Sequence, residues 1–149
     1  MSLVTDIFFY DALKDIDEIN ELVNGRIFNT ADDEVDDEEV DKTDIPYIMI
    51  LNNGTHNDEN SKDDGVESDY DKDSISLEIA ANDRKELARL TQLVRDIIRD
   101  TANAFDDTDA VNFGFQLTDY NFSAGTVEYD AMKPCFWQTL NYECETKNL

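Results

Sequence analysis

Ser74-Ile75-Ser76-Leu77-Glu78-Ile79-Ala80-Ala81, followed directly by Asn82-Asp83-Arg84-Lys85-Glu86, decides the fold of this chain. The first piece alternates. Ile75, Leu77, Ile79 and Ala81 point one way, and Ser74, Ser76, Glu78 and Ala80 the other, the pattern of a half-buried strand. Asp83 with Glu86 three residues on forms a capping box, which starts a helix. From there to about Thr101, Leu87, Leu90, Val94, Ile97 and Ile98 fall on one helical face. Arg84, Lys85, Arg89, Arg95 and Arg99 fall mostly on the other. A strand that feeds a capped amphipathic helix through a short turn is the unit on which the rest must pack.

Upstream, residues 5–24 predict one helix with an apolar stripe of Phe9, Leu13, Ile16, Ile19 and Val23, capped by Thr5 or Ser2 and stopped by Asn24-Gly25. Asp6 suits the positive end of that helix. Arg26-Ile27-Phe28 predicts a short strand, and Ile45 to Leu51 a strand that is apolar on both faces. Asn52-Asn53-Gly54 carries turn chemistry. Downstream, Asp106 to Asp109 reads as a loop. Val111, Phe113, Phe115 and Leu117 alternate with polar residues and predict a strand. Ser123-Ala124-Gly125 turns the chain, Thr126 to Tyr129 starts another strand, and Pro134 to Glu145 supplies the last. Connections between successive strands are short or acidic and not helical, which favours antiparallel pairing. The expected architecture is therefore α+β, a mostly antiparallel sheet with two helices on one face.

The chain has 149 residues, 12 basic against 36 acidic side chains and a net charge of -24. This length makes one domain, 1–149, able to bury a core without staples. Residues 30–44 hold nine acids and one base, and residues 55–73 eight acids and two bases, so these two tracts carry -14 of the total. Neither has the apolar period of a helix or strand, and both are expected to be mobile acidic loops. Such a charge argues against binding through nucleic-acid phosphates or to an anionic membrane surface, and suits solubility, a basic partner or a surface that must not stick to DNA. Ile7-Phe8-Phe9-Tyr10 has no basic residue before it and meets Asp11 at once, so it does not read as a signal peptide. No apolar run reaches the roughly 18 residues that span a bilayer.

Chemical motifs are sparse. His56 is the single histidine, at the edge of an acidic tract, with nothing to orient it as a base. Cys135 and Cys144 read as free thiols on opposite faces of one strand, about 30 Å apart, too few for zinc and too distant for a disulfide. Asp69, Asp71 and Asp73 imitate the first ligands of an EF-hand loop. Ser74 stands where its glycine belongs and Ala80 where its glutamate belongs, so they form only a weak calcium candidate. No cofactor site and no catalytic constellation is expected. Three aromatics lie off the predicted core faces and are candidates for a protein interface: Tyr120, Phe122 and Trp137.

The succession of elements resembles the tail-completion, or tail-terminator, proteins of long-tailed bacteriophages and prophages. The residues that carry this are Gly25-Arg26-Ile27-Phe28 after the first helix, then Ile45-Pro46-Tyr47-Ile48-Met49-Ile50, then the strand Ile75 to Ile79 behind a polar insertion. The capped helix with Glu86-Leu87-Ala88-Arg89-Leu90 and Leu93-Val94-Arg95-Asp96-Ile97-Ile98 follows, and Phe115-Gln116-Leu117 and Leu140-Asn141-Tyr142 close it. The resemblance covers roughly residues 5–145 and is a pattern of elements, without a short sealing motif. Both acidic tracts are longer than the family pattern. The resemblance implies a small sheet flanked by helices and a non-catalytic role. It implies a homo-hexameric ring on the last ring of tail-tube protein that meets the head connector protein, in the virion tail or, during assembly, the host cytoplasm. It also implies a central passage for DNA, which an acidic wall lets slide without sticking. The composition leaves a second reading open, an acidic interaction protein such as a DNA mimic or an inhibitor of a basic partner.

Overall fold

The computed structural model describes residues 5–30, 44–57 and 69–149. Its helices are α1 (Thr5–Lys14), α2 (Asp17–Val23), α3 (Arg84–Asn103) and α4 (Asp107–Phe113). The strands are β1 (Ile27–Asn29), β2 (Tyr47–Asn57), β3 (Tyr70–Ala81), β4 (Phe115–Ala124), β5 (Glu128–Asp130) and β6 (Cys135–Asn148). The sheet runs β1-β2-β3-β6-β4, and β5 pairs with β6 beyond the end of β4. Every pairing is antiparallel except β1 with β2. The fold is α+β, as the alternation and the short connections dictate.

The opening unit forms as its sequence requires. Ile75, Leu77, Ile79 and Ala81 of β3 are fully buried, and so are Leu87, Leu90, Val94 and Ile98 of α3. Asp83 accepts a hydrogen bond from the backbone N–H of Glu86 at 2.8 Å. Glu86 reaches back one residue further than a capping box does, accepting from the N–H of Asn82 at 3.0 Å. Phe8, Phe9 and Leu13 of α1, Ile19 and Val23 of α2, and Ile48, Ile50, Leu140, Tyr142 and Cys144 of the sheet close the same core.

The single helix expected over residues 5–24 is two. Ile16 is extended (φ -84, ψ 114), and Asn20 Nδ2 donates to the Lys14 carbonyl at 2.8 Å, satisfying an end that the break leaves open. The apolar stripe survives because Phe9 and Leu13 of α1 and Ile19 and Val23 of α2 enter the same core. Asn24 closes α2 in the left-handed region. Thr5 lies in the first turn of α1, and its hydroxyl is aimed at Asp73.

The expected loop through residues 55–73 is corrected at both ends. Asn52-Asn53-Gly54 does not reverse the chain. It is an irregularity in β2, with Gly54 at φ +113, after which Thr55, His56 and Asn57 pair with Asp73, Lys72 and Asp71. The long β6 explains this, since it pairs with β3 from Ala81 back to Tyr70 and so templates the extension. The remaining parts of the two acidic tracts, residues 31–43 and 58–68, lie outside the described residues, as does Ser2.

The strand expected from Val111 to Leu117 is corrected too. Asp106 accepts from the Asp109 N–H at 3.0 Å and Asp109 accepts from the Asp106 N–H at 3.1 Å, a reciprocal cap that starts α4. Gly114 ends the helix at φ 81, and β4 begins only at Phe115. Two competing local signals overlap here, a period of two and an acid pair three residues apart, and the cap wins over the first half. Val111 is left 74% exposed, whereas Phe113 joins Phe8, Phe105 and Phe115 in an aromatic cluster with ring centroids 5.8–6.1 Å apart. Because Gly114 occupies the left-handed region, Gly114→Ala is expected to cost about 1 kcal/mol, read as a fall in the urea midpoint without a change in slope.

Candidate functional site

The three candidate interface aromatics do not lie on one surface. Trp137 is half-buried on the sheet face away from the helices, beside a small cluster of Tyr47, Met49 and Ala80. Tyr120 and Phe122 are on the opposite, helix-covered face, packed against the main core. The reason is one residue. Leu117 pairs with Thr146, but Asp119 pairs with Glu145, so Thr118 is an extra residue in β4. A bulge of one residue reverses which face the following side chains take. Tyr120 and Phe122 therefore rejoin the side of Phe115 and Leu117, not the polar side that strict alternation assigns them. Thr118 is held out of the ladder with its hydroxyl donating to the Glu145 carbonyl at 3.0 Å.

Beyond the bulge, Tyr120 and Phe122 meet Tyr142 of β6 at ring centroids of 5.8 and 5.2 Å. Arg95 of α3 covers the Phe122 ring, with its guanidinium carbon 4.2 Å from the centroid. Between α3 and β4 these residues line a groove of about 540 Å³, together with Gln92, Asp96, Arg99, Asp119 and Asn121. Tyr142 is 1% exposed, and its hydroxyl has no hydrogen-bond partner among the described residues. Burial raises its pKa, so the group is a neutral donor at any ordinary pH. Arg99 is engaged by Asp96 and Asp100 at 3.4 and 3.1 Å, while Arg95 makes no ion pair among the described residues. No pattern in the sequence announces this groove, because Tyr142 and Arg95 look like ordinary members of a core stripe and a solvated helix face.

A second polar constellation sits under the N-terminus of α1. Asp73 is 1% exposed and accepts from three hydroxyls: Thr5 Oγ1 at 2.6 Å, Thr55 Oγ1 at 2.6 Å and Thr146 Oγ1 at 3.3 Å. Asp6 is buried beside it and accepts from Asn29 Nδ2 at 2.9 Å and Asn52 Nδ2 at 3.1 Å. Asp71 accepts from Asn57 Nδ2 at 2.8 Å and Asn148 Nδ2 at 3.0 Å. Neutral donors thus meet each of these carboxylates. Burial pushes the Asp73 carboxyl above its ordinary value, the three hydroxyls pull it back, and Asp71 adds a further push up.

This corrects the placement of the calcium candidate. Asp71 and Asp73 belong to an extended strand, with their oxygens turned to asparagine and threonine, and Asp69 precedes it. A ligating loop instead wraps its oxygens round one point. No cluster of three or more His, Cys, Asp or Glu side chains suited to a metal occurs among the described residues. His56 is exposed and lies opposite Lys72. Cys135 and Cys144 are free and buried, and burial pushes the Cys144 thiol up to about 12. No helix among the described residues is long and apolar enough to cross a membrane.

No family model and no curated protein matches the sequence. Its structure is similar to that of a chain in the virion of a native gene transfer agent particle, with a TM-score of 0.52, 7% identity, and coverage of 94% of this chain and 92% of that one. At this identity the likeness is one of fold, and it spans nearly the whole of both chains.

Proposed function

We propose that this chain is a structural protein of a phage-like virion, and within that class a tail-completion protein that caps the tail tube as a ring and joins it to the head connector. The observation that carries the reading is the fold shared, almost end to end, with a chain of a gene transfer agent virion. The succession of elements from Gly25 to Tyr142 supports the finer assignment. In this reading the protein is not an enzyme. Its partners are further copies of itself, the tube protein and the connector, and it neither reads a nucleic-acid sequence nor enters a membrane. A net charge of -24 holds separate copies apart at low ionic strength and weakens as salt screens it. Mass photometry and sedimentation velocity over a range of concentration and salt test this. The expected result is a closed hexamer that grows in with protein concentration at high salt. A monomer or dimer that persists throughout overturns the ring and favours the acidic interaction protein.

A further inference from the structure

The α3–β4 groove joins three features that no internal role consumes. Arg95 is a cation without an ion pair among the described residues, held in place by the Phe122 ring. Tyr142 presents a buried hydroxyl donor with no partner among the described residues. The space between them opens to solvent along Gln92 and Arg99. A donor and a cation at the end of an aromatic slot select an anionic acceptor, and a carboxylate side chain satisfies both at once. The helix is of the same sign overall: α3 carries five of the chain's 12 basic residues, all exposed, against Glu86, Asp96 and Asp100, and of the acids that line the groove, Asp96 and Asp119, the first is engaged by Arg99.

The sheet order indicates where the carboxylate comes from. The groove is at the β4 edge, and β1 is at the other, four strand spacings or roughly 19 Å away. The densest acidic tract leaves the described structure at Thr30, just after β1, and re-enters at Asp44. The described residues that flank it, Thr30 and Asp44, thus adjoin β1 and β2, on the side of the sheet remote from the groove. Two copies set β1 edge to β4 edge bring a tract with nine acids against the basic helix, and such a head-to-tail contact repeats from copy to copy. We propose that the α3–β4 groove, through Arg95 and the Tyr142 hydroxyl, receives a carboxylate from the 31–44 tract of a neighbouring copy. The proposal rests on the assembly reading above and gives its contact a direction.

The test uses a synthetic peptide of residues 31–44 as the probe, titrated into the full chain at low salt and followed by NMR and calorimetry, beside sedimentation of the full chain. The peptide is expected to bind and to shift resonances of Arg95, Phe122 and Tyr142. Arg95→Glu with Arg99→Glu is expected to weaken peptide binding about tenfold or more and to raise the concentration needed for self-association in parallel. Tyr142→Phe leaves the charge and the ring in place, and is expected to weaken peptide binding about threefold to tenfold through the lost hydrogen bond alone. Melting temperatures of the variants check that each is folded. Peptide binding that is absent, or that Tyr142→Phe leaves unaltered, overturns the groove assignment. Peptide binding with these effects, in a chain that stays monomeric, upholds the groove and overturns the assembly reading instead.

Discussion

Asp73→Ala is expected to destabilise the protein by about 3 kcal/mol, because it removes the acceptor on which hydroxyls of three different segments converge, two of them buried. Thr5 brings α1, Thr55 brings the far half of β2, and Thr146 brings the end of β6. Thr5 and Thr146 are as buried as Asp73 itself, so water cannot replace the lost acceptor without a rearrangement. Losing the desolvated charge offsets part of the cost. Asp73→Asn separates the two effects, since it removes the charge but keeps one acceptor oxygen and adds a donor that the hydroxyls can accept, and it is expected to cost less than about 1 kcal/mol. Urea unfolding of both variants checks this. An alanine variant within about 0.5 kcal/mol of the parent would show that the network holds nothing together.

The same carboxyl has a pH signature. Its folded-state pKa lies above its ordinary 3.8, chiefly through burial. A carboxyl raised in this way costs stability while it is ionised, so its penalty is fully present above the folded pKa. The penalty is relieved as pH falls through that value towards 3.8. Melting temperature is therefore expected to rise on mild acidification from neutral pH. Relief of the overall -24 charge acts in the same direction, which is why the comparison with Asp73→Asn matters. The variant's curve should be flatter by the Asp73 contribution, and parallel curves would remove Asp73 as a cause.

Leu77→Ala is expected to cost about 3–4 kcal/mol, a large share of the roughly 5–15 kcal/mol that holds a typical domain folded. Leu77 is fully buried at the centre of β3, directly between Ile50 of β2 and Leu140 of β6. Strands on both sides fix the backbone there, so the cavity cannot collapse. Val111→Ala is the informative partner. If residues 111–117 were the strand that their alternation suggests, Val111 would face the core and its truncation would cost about 1–2 kcal/mol. On the exposed face of α4 it is expected to change stability by less than about 0.5 kcal/mol, since alanine is also the better helix former. Thermal and urea unfolding of the two variants reads both. A costly Val111→Ala would reinstate the strand.

These comparisons mark where local reading succeeds. The α+β class, the β3–α3 unit and its buried faces follow from the sequence by itself. There the strand period, the Asp83 cap and the helical period act on neighbours, with nothing competing. The start of α4 was present as a local signal too, in the Asp106–Asp109 cap, but it overlapped a longer apolar pattern pointing the other way. The break at Ile16 has no such signal, since no side chain caps α2 there. The extension of β2 and β3 through Thr55–Asn57 and Tyr70–Asp73 had no such signal. Those residues are polar and acidic, and they are strand because β6, more than sixty residues later in the chain, supplies the ladder.

The candidate surfaces divide in the same way. That Trp137 lies away from the main core face was legible from the alternation of β6. The faces of Tyr120 and Phe122 were not, because the pairing of β4 with β6 inserts Thr118 as an unpaired residue and reverses every side chain after it. Side-chain parity along a strand is a local property, but the place where it resets is set by hydrogen bonds to a partner strand that the sequence does not place. Only the tertiary structure could therefore bring Arg95, Phe122 and Tyr142 together, and leave one buried hydroxyl there without a partner among the described residues.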